Sequence, residues 1–332
     1  MRRMIPRLLP ALLAVVAMTL VGAPAQADGS DHGEVAELEA TMVDLVNAER
    51  RERGLDELEV VVQQVRKARE HNPRMREAGH LFHAQLSEEI FPSDAWDRIG
   101  ENVAYASTVQ RTHDALMDSD GHRANILHED YTHIGIGILV DGDRLWTTQR
   151  FVALRPGKEL PLFADVDPSS TFADEIEALW RAGITDGCGN DRFCPTSPVT
   201  RQAMAAFLQR ALDLDPADDP ADFSDVTGDH PFADEVAALA AAGISQGYDD
   251  GTFRPRSSVS RQAMAAFLDR ALGLDTPLDA PSFLDVPLGH TFHGEIGALA
   301  AAGISQGYDD GTFRPGSSVS RQAMAAFLDR AL

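Results

Sequence analysis

Apolar residues recur at helical spacing between Glu34 and Arg53, where Val35, Leu38, Met42, Leu45 and Val46 share one face. Gly54 is placed to end that helix. A second helix is predicted from Leu58 to His71. Pro73 threatens it, because a mid-helix proline removes a backbone donor and crowds the preceding turn; Met75 to Gly79 would resume after a kink. A third helix starts at Thr108 or Val109 and runs to Asp118, with Asp120-Gly121 breaking it. The pattern then changes to alternation. His133 to Val140 reads His-Ile-Gly-Ile-Gly-Ile-Leu-Val, Asp141-Gly142 signals a hairpin turn, and Arg144 to Val152 returns. Helices followed by an antiparallel hairpin predict a layered α+β domain.

Beyond Arg155-Pro156-Gly157-Lys158, which reads as a linker, the chain repeats itself at a period of about sixty residues. Phe163-Ala164-Asp165-Val166 returns as Phe223-Ser224-Asp225-Val226 and as Phe283-Leu284-Asp285-Val286. Thr200-Arg201-Gln202-Ala203 returns as Ser260-Arg261-Gln262-Ala263 and Ser320-Arg321-Gln322-Ala323. Ala238 to Leu272 and Ala298 to Leu332 differ only at Arg256 against Gly316. Each copy reads as helix, loop, helix: Phe172 to Ala182 with Gly183 as its stop, a loop from Gly187 to Pro198, then a helix capped by Thr200 and running to Leu212. Its apolar face is Met204, Phe207, Leu208 and Leu212. Units this regular bury their apolar faces against one another.

The repeated arginines Arg201, Arg261 and Arg321 each follow a helix cap. The helix dipole disfavours a cation there, so the recurrence calls for an internal carboxylate or an anionic ligand. The chain carries 29 Lys+Arg against 52 Asp+Glu, a formal charge of −23, which argues against nucleic acid as a partner. Arg2, Arg3 and Arg7, the apolar run Leu8 to Val21 and Ala25-Gln26-Ala27 read as a secretory signal cleaved before Asp28. The two cysteines, Cys188 and Cys194, stand where the second copy has Tyr248 and Arg254. In an exported chain they read as a local disulfide, with a zinc pair as the competitor.

The repeats resemble S-layer homology modules. The resemblance rests on the Phe-x-Asp-Val start, the Ala-x-x-x-Gly-Ile segment, the Gly-x-x-x-x-x-Phe-x-Pro loop and the Val-Thr/Ser-Arg start of the second helix. It implies an all-α triplet packed around a pseudo-threefold axis, attached non-covalently to an anionic secondary polymer of the bacterial cell wall, with Arg201, Arg261 and Arg321 in the binding grooves. The family's commonest Thr-Arg-Ala-Glu is departed from at Ala203, Ala263 and Ala323, which leaves open which polymer is bound.

The first region resembles bacterial members of the CAP superfamily. The matching segments are Leu45-Val46-Asn47-Ala48-Glu49-Arg50, Gly54-Leu55, Phe82-His83, Gly100-Glu101-Asn102-Val103-Ala104, Gly121-His122-Arg123-Ala124-Asn125-Ile126-Leu127 and His133-Ile134-Gly135-Ile136-Gly137. That resemblance implies an α-β-α sandwich with a cleft where His83, Glu101 and His122 meet. Two imidazoles and a carboxylate could hold zinc or another divalent metal, could polarise water as an acid–base set, or could be purely structural. The second glutamate of animal and plant relatives has no counterpart here; its place falls near Ser119. His80 is an outlying candidate for the same site, and the remaining histidines read as solvated surface. The Tyr-Asp-Asp-Gly loops at 248–251 and 308–311 lack the length and closing glutamate of an EF-hand and read as turns.

The expected organisation is a signal over 1–27, a CAP-like domain over 36–155, a linker over 156–161 and repeats over 162–212, 222–272 and 282–332. The expected function is an extracellular, wall-attached protein presenting its first domain to a ligand or partner. A metal-assisted hydrolase and a purely structural envelope protein are the competing readings.

Overall fold

The computed structural model describes residues 30–215, 223–275, 277 and 280–332. The expected signal segment lies outside them. The first domain runs α1 (Ser30–Glu52), β1 (Glu59–Val60), α2 (Val62–Ala78), α3 (Leu86–Glu89), β2 (Trp96–Ala106), α4 (Val109–Asp118), α5 (Asp120–Ile126), β3 (His133–Asp141) and β4 (Arg144–Leu154). The strands form one sheet in the order β1-β3-β4-β2. β1 is parallel to β3, and the two other pairings are antiparallel.

The Ile-Gly alternation of β3 builds both faces of the sheet. Ile134, Ile136 and Ile138 are buried on one face with Met42, Val46 and Leu116 of α1 and α4, each full burial stabilising by roughly 1.5–3 kcal/mol. On the other face Gly135 and Gly137 admit α2. A Cβ at Gly135 would lie 2.3 Å from the Gln64 carbonyl carbon, and one at Gly137 would lie 2.4 Å from that of Ala68. Helices on both faces make the α-β-α sandwich expected of the sequence.

Three local readings change. Leu58 and Val60 belong to an extended segment paired with β3, because Glu59 and Val61 donate to Thr132 and Ile134. α2 passes through Pro73 unbroken; Met75 beyond it is fully buried, and Asn72 accepts from the Thr148 hydroxyl at 2.7 Å. Asp120-Gly121 opens α5 instead of only ending α4. β2 had no periodic signal of its own.

The second half comprises α6 (Ala173–Arg181), α7 (Arg201–Ala211), α8 (Ala233–Ala241), α9 (Arg261–Leu272), α10 (His293–Ala301) and α11 (Arg321–Ala331). The copies close a ring. Val199 donates to Val319, Val259 to Val199 and Val319 to Val259, at 2.8–2.9 Å. α6 packs on α11, α8 on α7 and α10 on α9, so each copy lends a helix to its neighbour. One contiguous core includes Phe193, Phe253 and Phe313 with Met204, Met264 and Met324.

The repeated Phe-x-Asp-Val motif is structural. Asp165 accepts from the Phe193 and Cys194 amides at 2.7 and 2.9 Å. Asp225 and Asp285 hold Phe253-Arg254 and Phe313-Arg314 in the same way. These bonds fix Cys194, Arg254 and Arg314 at positive φ, a conformation that otherwise favours glycine.

The expected linker is packed. Leu160 is buried with Ile90, Ala95 and Val152. The first domain meets the first repeat through α2: Arg66 pairs with Asp191 at 2.9 Å, Lys67 joins the same carboxylate, and Arg69 stacks over Trp180 at 5.2 Å. Among the described residues no helix is long and apolar enough to cross a membrane.

Candidate functional sites

In the first domain, the sandwich brings His83 and Glu101 together. His83 lies before α3 and is exposed; its Nδ1 is 3.0 Å from Glu101 Oε1, which also accepts from the Ala84 amide at 2.9 Å. Glu101 sits on β2 directly across from Arg150 on β4. Its Oε2 lies 3.2 Å from Arg150 Nε, and Glu89 lies 2.7 Å from Arg150 Nη2. These are charge contacts without aligned hydrogen-bond geometry. The Arg150 side chain is fully buried, so both carboxylates offset the cost of its desolvation.

His122 lies on α5. Its backbone carbonyl accepts from Asn102 Nδ2 at 3.0 Å, and burial lowers its imidazole pKa, with His83 adding to the shift. Asn102 also donates to Gln149, and Asn125 donates to Asn102 at 2.9 Å. The motif residues therefore knit β2 to α5 and β4.

As folded, the trio does not fit a metal site. Both oxygens of Glu101 are committed, one to the Ala84 amide and His83, the other to Arg150. Among the described residues no group of three or more His, Cys, Asp or Glu side chains is placed to hold a metal ion. His80 Nδ1 turns to the Ala78 carbonyl instead of joining the site. His71 and His113, read from sequence as surface, are buried. Arg50 is likewise structural: it donates to the carbonyls of Asp56, Ile126, His128 and Tyr131 and ties the α1–β1 connection to the end of α5 and the loop after it.

In the second half, each repeated arginine reaches into the next copy. Arg201 Nε donates to Phe253 O, Arg261 Nε to Phe313 O and Arg321 Nε to Phe193 O, at 2.6–2.7 Å. The guanidiniums lie against the faces of Phe253 and Phe267, Phe313 and Phe327, and Phe193 and Phe207. Burial lowers the pKa of all three from its ordinary value. The compensation expected from a carboxylate or a ligand thus comes first from carbonyl oxygens and aromatic rings. The adjoining helix amides are also served by the neighbour, Arg201 N donating to Ser257 O and Gln202 N to Pro255 O.

Arg261 is not sealed. Beside Arg261 a crevice of about 460 Å³ opens, lined by Phe172, Gln306, Tyr308, Phe327 and Arg330 among others. Tyr308 is 38% exposed and carries Arg314 stacked 3.8 Å from its ring centroid. Tyr248 and Arg254 repeat this arrangement beside Arg201. In the first copy the corresponding residues, Cys188 and Cys194, form the disulfide expected from the sequence.

The Tyr-Asp-Asp-Gly turns satisfy themselves. Asp250 accepts from Thr252 and pairs with Arg254, and the Thr252 hydroxyl followed by Arg254 holds the Asp250 carboxyl down to about 2. The grooves were only partly legible in the sequence. The arginines are visible there, but nothing in the spacing places Tyr308, Gln306 and Arg330 beside Arg261.

Comparison with known proteins matches both halves. The S-layer homology domain matches residues 162–205, 222–265 and 282–325, and the cysteine-rich secretory protein family (CAP) matches residues 43–151. The chain therefore carries a CAP domain followed by three S-layer homology domains. A cell surface protein of Thermoanaerobacter kivui is 35% identical over 175 residues, covering 51% of this chain and 21% of that protein. Uncharacterized protein YkwD of Bacillus subtilis is 33% identical over 123 residues, covering 35% of this chain and 47% of that protein. A solved extracellular protein containing a SCP domain, from Bacillus anthracis, is 23% identical over 40% of this chain and 45% of its own, with a TM-score of 0.35. The chain thus spans half or less of the length of these relatives. Its three S-layer homology domains make it an extracellular protein attached to the bacterial cell wall.

Proposed function

We propose that the triplet binds an anionic secondary polymer of the cell wall in the grooves beside its repeated arginines, and that it holds the CAP domain outward to engage a ligand or partner. The observation that carries this is the crevice beside Arg261: two guanidiniums, Arg261 and Arg330, an exposed tyrosine and an uncharged glutamine converge there on a protein that is otherwise strongly acidic. Cations and aromatic faces of this kind suit a carboxylate- or phosphate-bearing sugar. The commitment of Glu101 to Arg150 favours a binding or architectural role for the CAP domain over metal-assisted hydrolysis.

Cosedimentation of the full chain with sacculi tests the reading, using sacculi from the source bacterium before and after chemical removal of the secondary polymer. Binding should be strong to intact sacculi, weaken as salt screens the ion pairs, and vanish on stripped ones. Equal binding to stripped sacculi overturns the proposal.

A further inference from the structure

Resting on that reading, we infer that only two of the three grooves bind the anionic polymer, those of Arg201 and Arg261, and that the third has been dismantled while its repeat took over docking of the CAP domain. The bodies of the second and third repeats are the same from Ala238 and Ala298 onward except at Arg256/Gly316, so the grooves beside Arg201 and Arg261 have the same side chains. The first repeat supplies the groove of Arg321, and it departs from the others in two sets of positions.

One set removes what would hold an anion. Asp186 stands where the others have Gln246 and Gln306, and it lies 3.4 Å from Arg210, the counterpart of Arg270 and Arg330. The second cation of this groove therefore faces a carboxylate, which also repels an incoming anion. Cys188 and Cys194 replace the tyrosine and the arginine stacked on it, so the aromatic face and a third guanidinium are lost together. Arg321 Nη2 turns to the Gly187 carbonyl at 3.0 Å, whereas Arg201 and Arg261 reach only a serine hydroxyl at 3.3 Å.

The other set makes the domain junction. Asp191 stands where the others have Gly251 and Gly311, and it takes Arg66 and Lys67 of α2. Trp180 stands where they have Ala240 and Ala300, and it lies under Arg69. The Cys188–Cys194 disulfide spans the loop that carries Asp191. The same substitutions that depart from the repeat consensus thus serve either to silence a groove or to seat a domain.

The test transplants the acid. Gln246 and Gln306 are exposed, so Gln246→Asp and Gln306→Asp place a carboxylate in each active groove with little effect on folding. Each should weaken binding of the full chain to sacculi by about three- to tenfold, roughly 1 kcal/mol for one unfavourable charge near a surface cation. Asp186→Gln should leave sacculus binding within about twofold of wild type, because the missing tyrosine and arginine are not restored. Titration with a single repeating unit released from the polymer should saturate at two per chain.

Saturation at three, or a change on Asp186→Gln in either direction as large as that on Gln306→Asp, overturns the two-groove inference while leaving wall attachment intact. Wild type that fails to bind intact sacculi brings down the attachment reading and this inference with it.

Discussion

Arg321 Nε donates to the carbonyl oxygen of Phe193, 128 residues earlier, and this 2.7 Å bond closes the ring of repeats on itself. The same side chain bonds Gly187 O and lies between the rings of Phe193 and Phe207. Removing it leaves two carbonyls without their charged donor in a partly buried seam. Arg321→Ala should cost about 3 kcal/mol and lower the melting temperature of the full chain by several degrees. Arg321→Lys should fall between, since an ammonium cannot span both carbonyls while lying flat on the rings. Thermal unfolding followed by circular dichroism reads both; an Arg321→Ala protein that melts with wild type would show that the seam is held elsewhere.

Glu101 and Arg150 form the electrostatic centre of the CAP domain. Glu101→Gln keeps the shape and an acceptor for the Ala84 amide but removes one of two charges facing a fully buried guanidinium. We expect a loss of about 3 kcal/mol, the usual order for breaking a buried pair from one side. His83→Ala should cost less than about 1 kcal/mol, because that ring is exposed and touches only one oxygen of the same carboxylate. Denaturant titration of the two variants reads the ratio. A trio built for metal would give the reverse signature, with a melting temperature that drops on chelation in wild type and not in His83→Ala.

What the sequence made legible follows from how local each determinant is. The capping role of Thr200, Ser260 and Ser320 lies within one turn, and each side chain does accept from the amide three residues on. The hairpin of β3 and β4 was visible because alternation and Asp141-Gly142 sit side by side. The partners of Arg201 were hidden because they lie in the next repeat, 44 and 52 residues away.

α2 was hard to read for a different reason. Its buried side is polar, with Gln63, Gln64, Arg66, Lys67, His71 and Asn72 all inside, so it carries little hydrophobic periodicity. Those groups are buried because the helix is pressed between the sheet and the first repeat, a contact that only the assembled chain reveals. β2 escaped notice because its signal is a set of cross-strand pairs, Glu101 with Arg150 and Asn102 with Gln149.

Buried imidazoles make the CAP domain sensitive to acid. Burial lowers the pKa of His113, of His122 and of His133 from the ordinary 6.5. Each is therefore more readily protonated in the unfolded chain than in the folded one. Their contribution is complete above about 6.5 and is lost as the pH falls below it, because the unfolded state then binds more protons. His113 contributes through the burial of both ring nitrogens, neither of which has a hydrogen-bond partner, while Glu49 at 3.8 Å opposes and only partly offsets the shift. Melting temperatures measured from about pH 8 to pH 5 should fall on the acid side, and His113→Leu should flatten the slope. A slope unchanged in that variant would place the proton uptake on the other two rings.

One carboxylate carries the ion pairs between the halves. Asp191 receives Arg66 and Lys67, both side chains only 6% exposed, with Glu70 as their other acid. Asp191→Ala leaves these two cations with a single charge between them in a largely buried contact, at a cost of about 2–4 kcal/mol. Since α2 also forms one face of the CAP domain, the penalty acts on docking and on that domain together. Wild type should unfold in calorimetry with the two halves coupled, whereas Asp191→Ala should show the CAP domain melting first and apart from the repeats. The cysteine pair gives an independent check. Cys188→Ser with Cys194→Ser loosens the loop that carries Asp191, so it should shift the same transition in the same direction but by less, because the carboxylate is still present. If Asp191→Ala melts as a single transition at the wild-type temperature, the stacking of Arg69 on Trp180 and the packed segment at Leu160 hold the halves together without it.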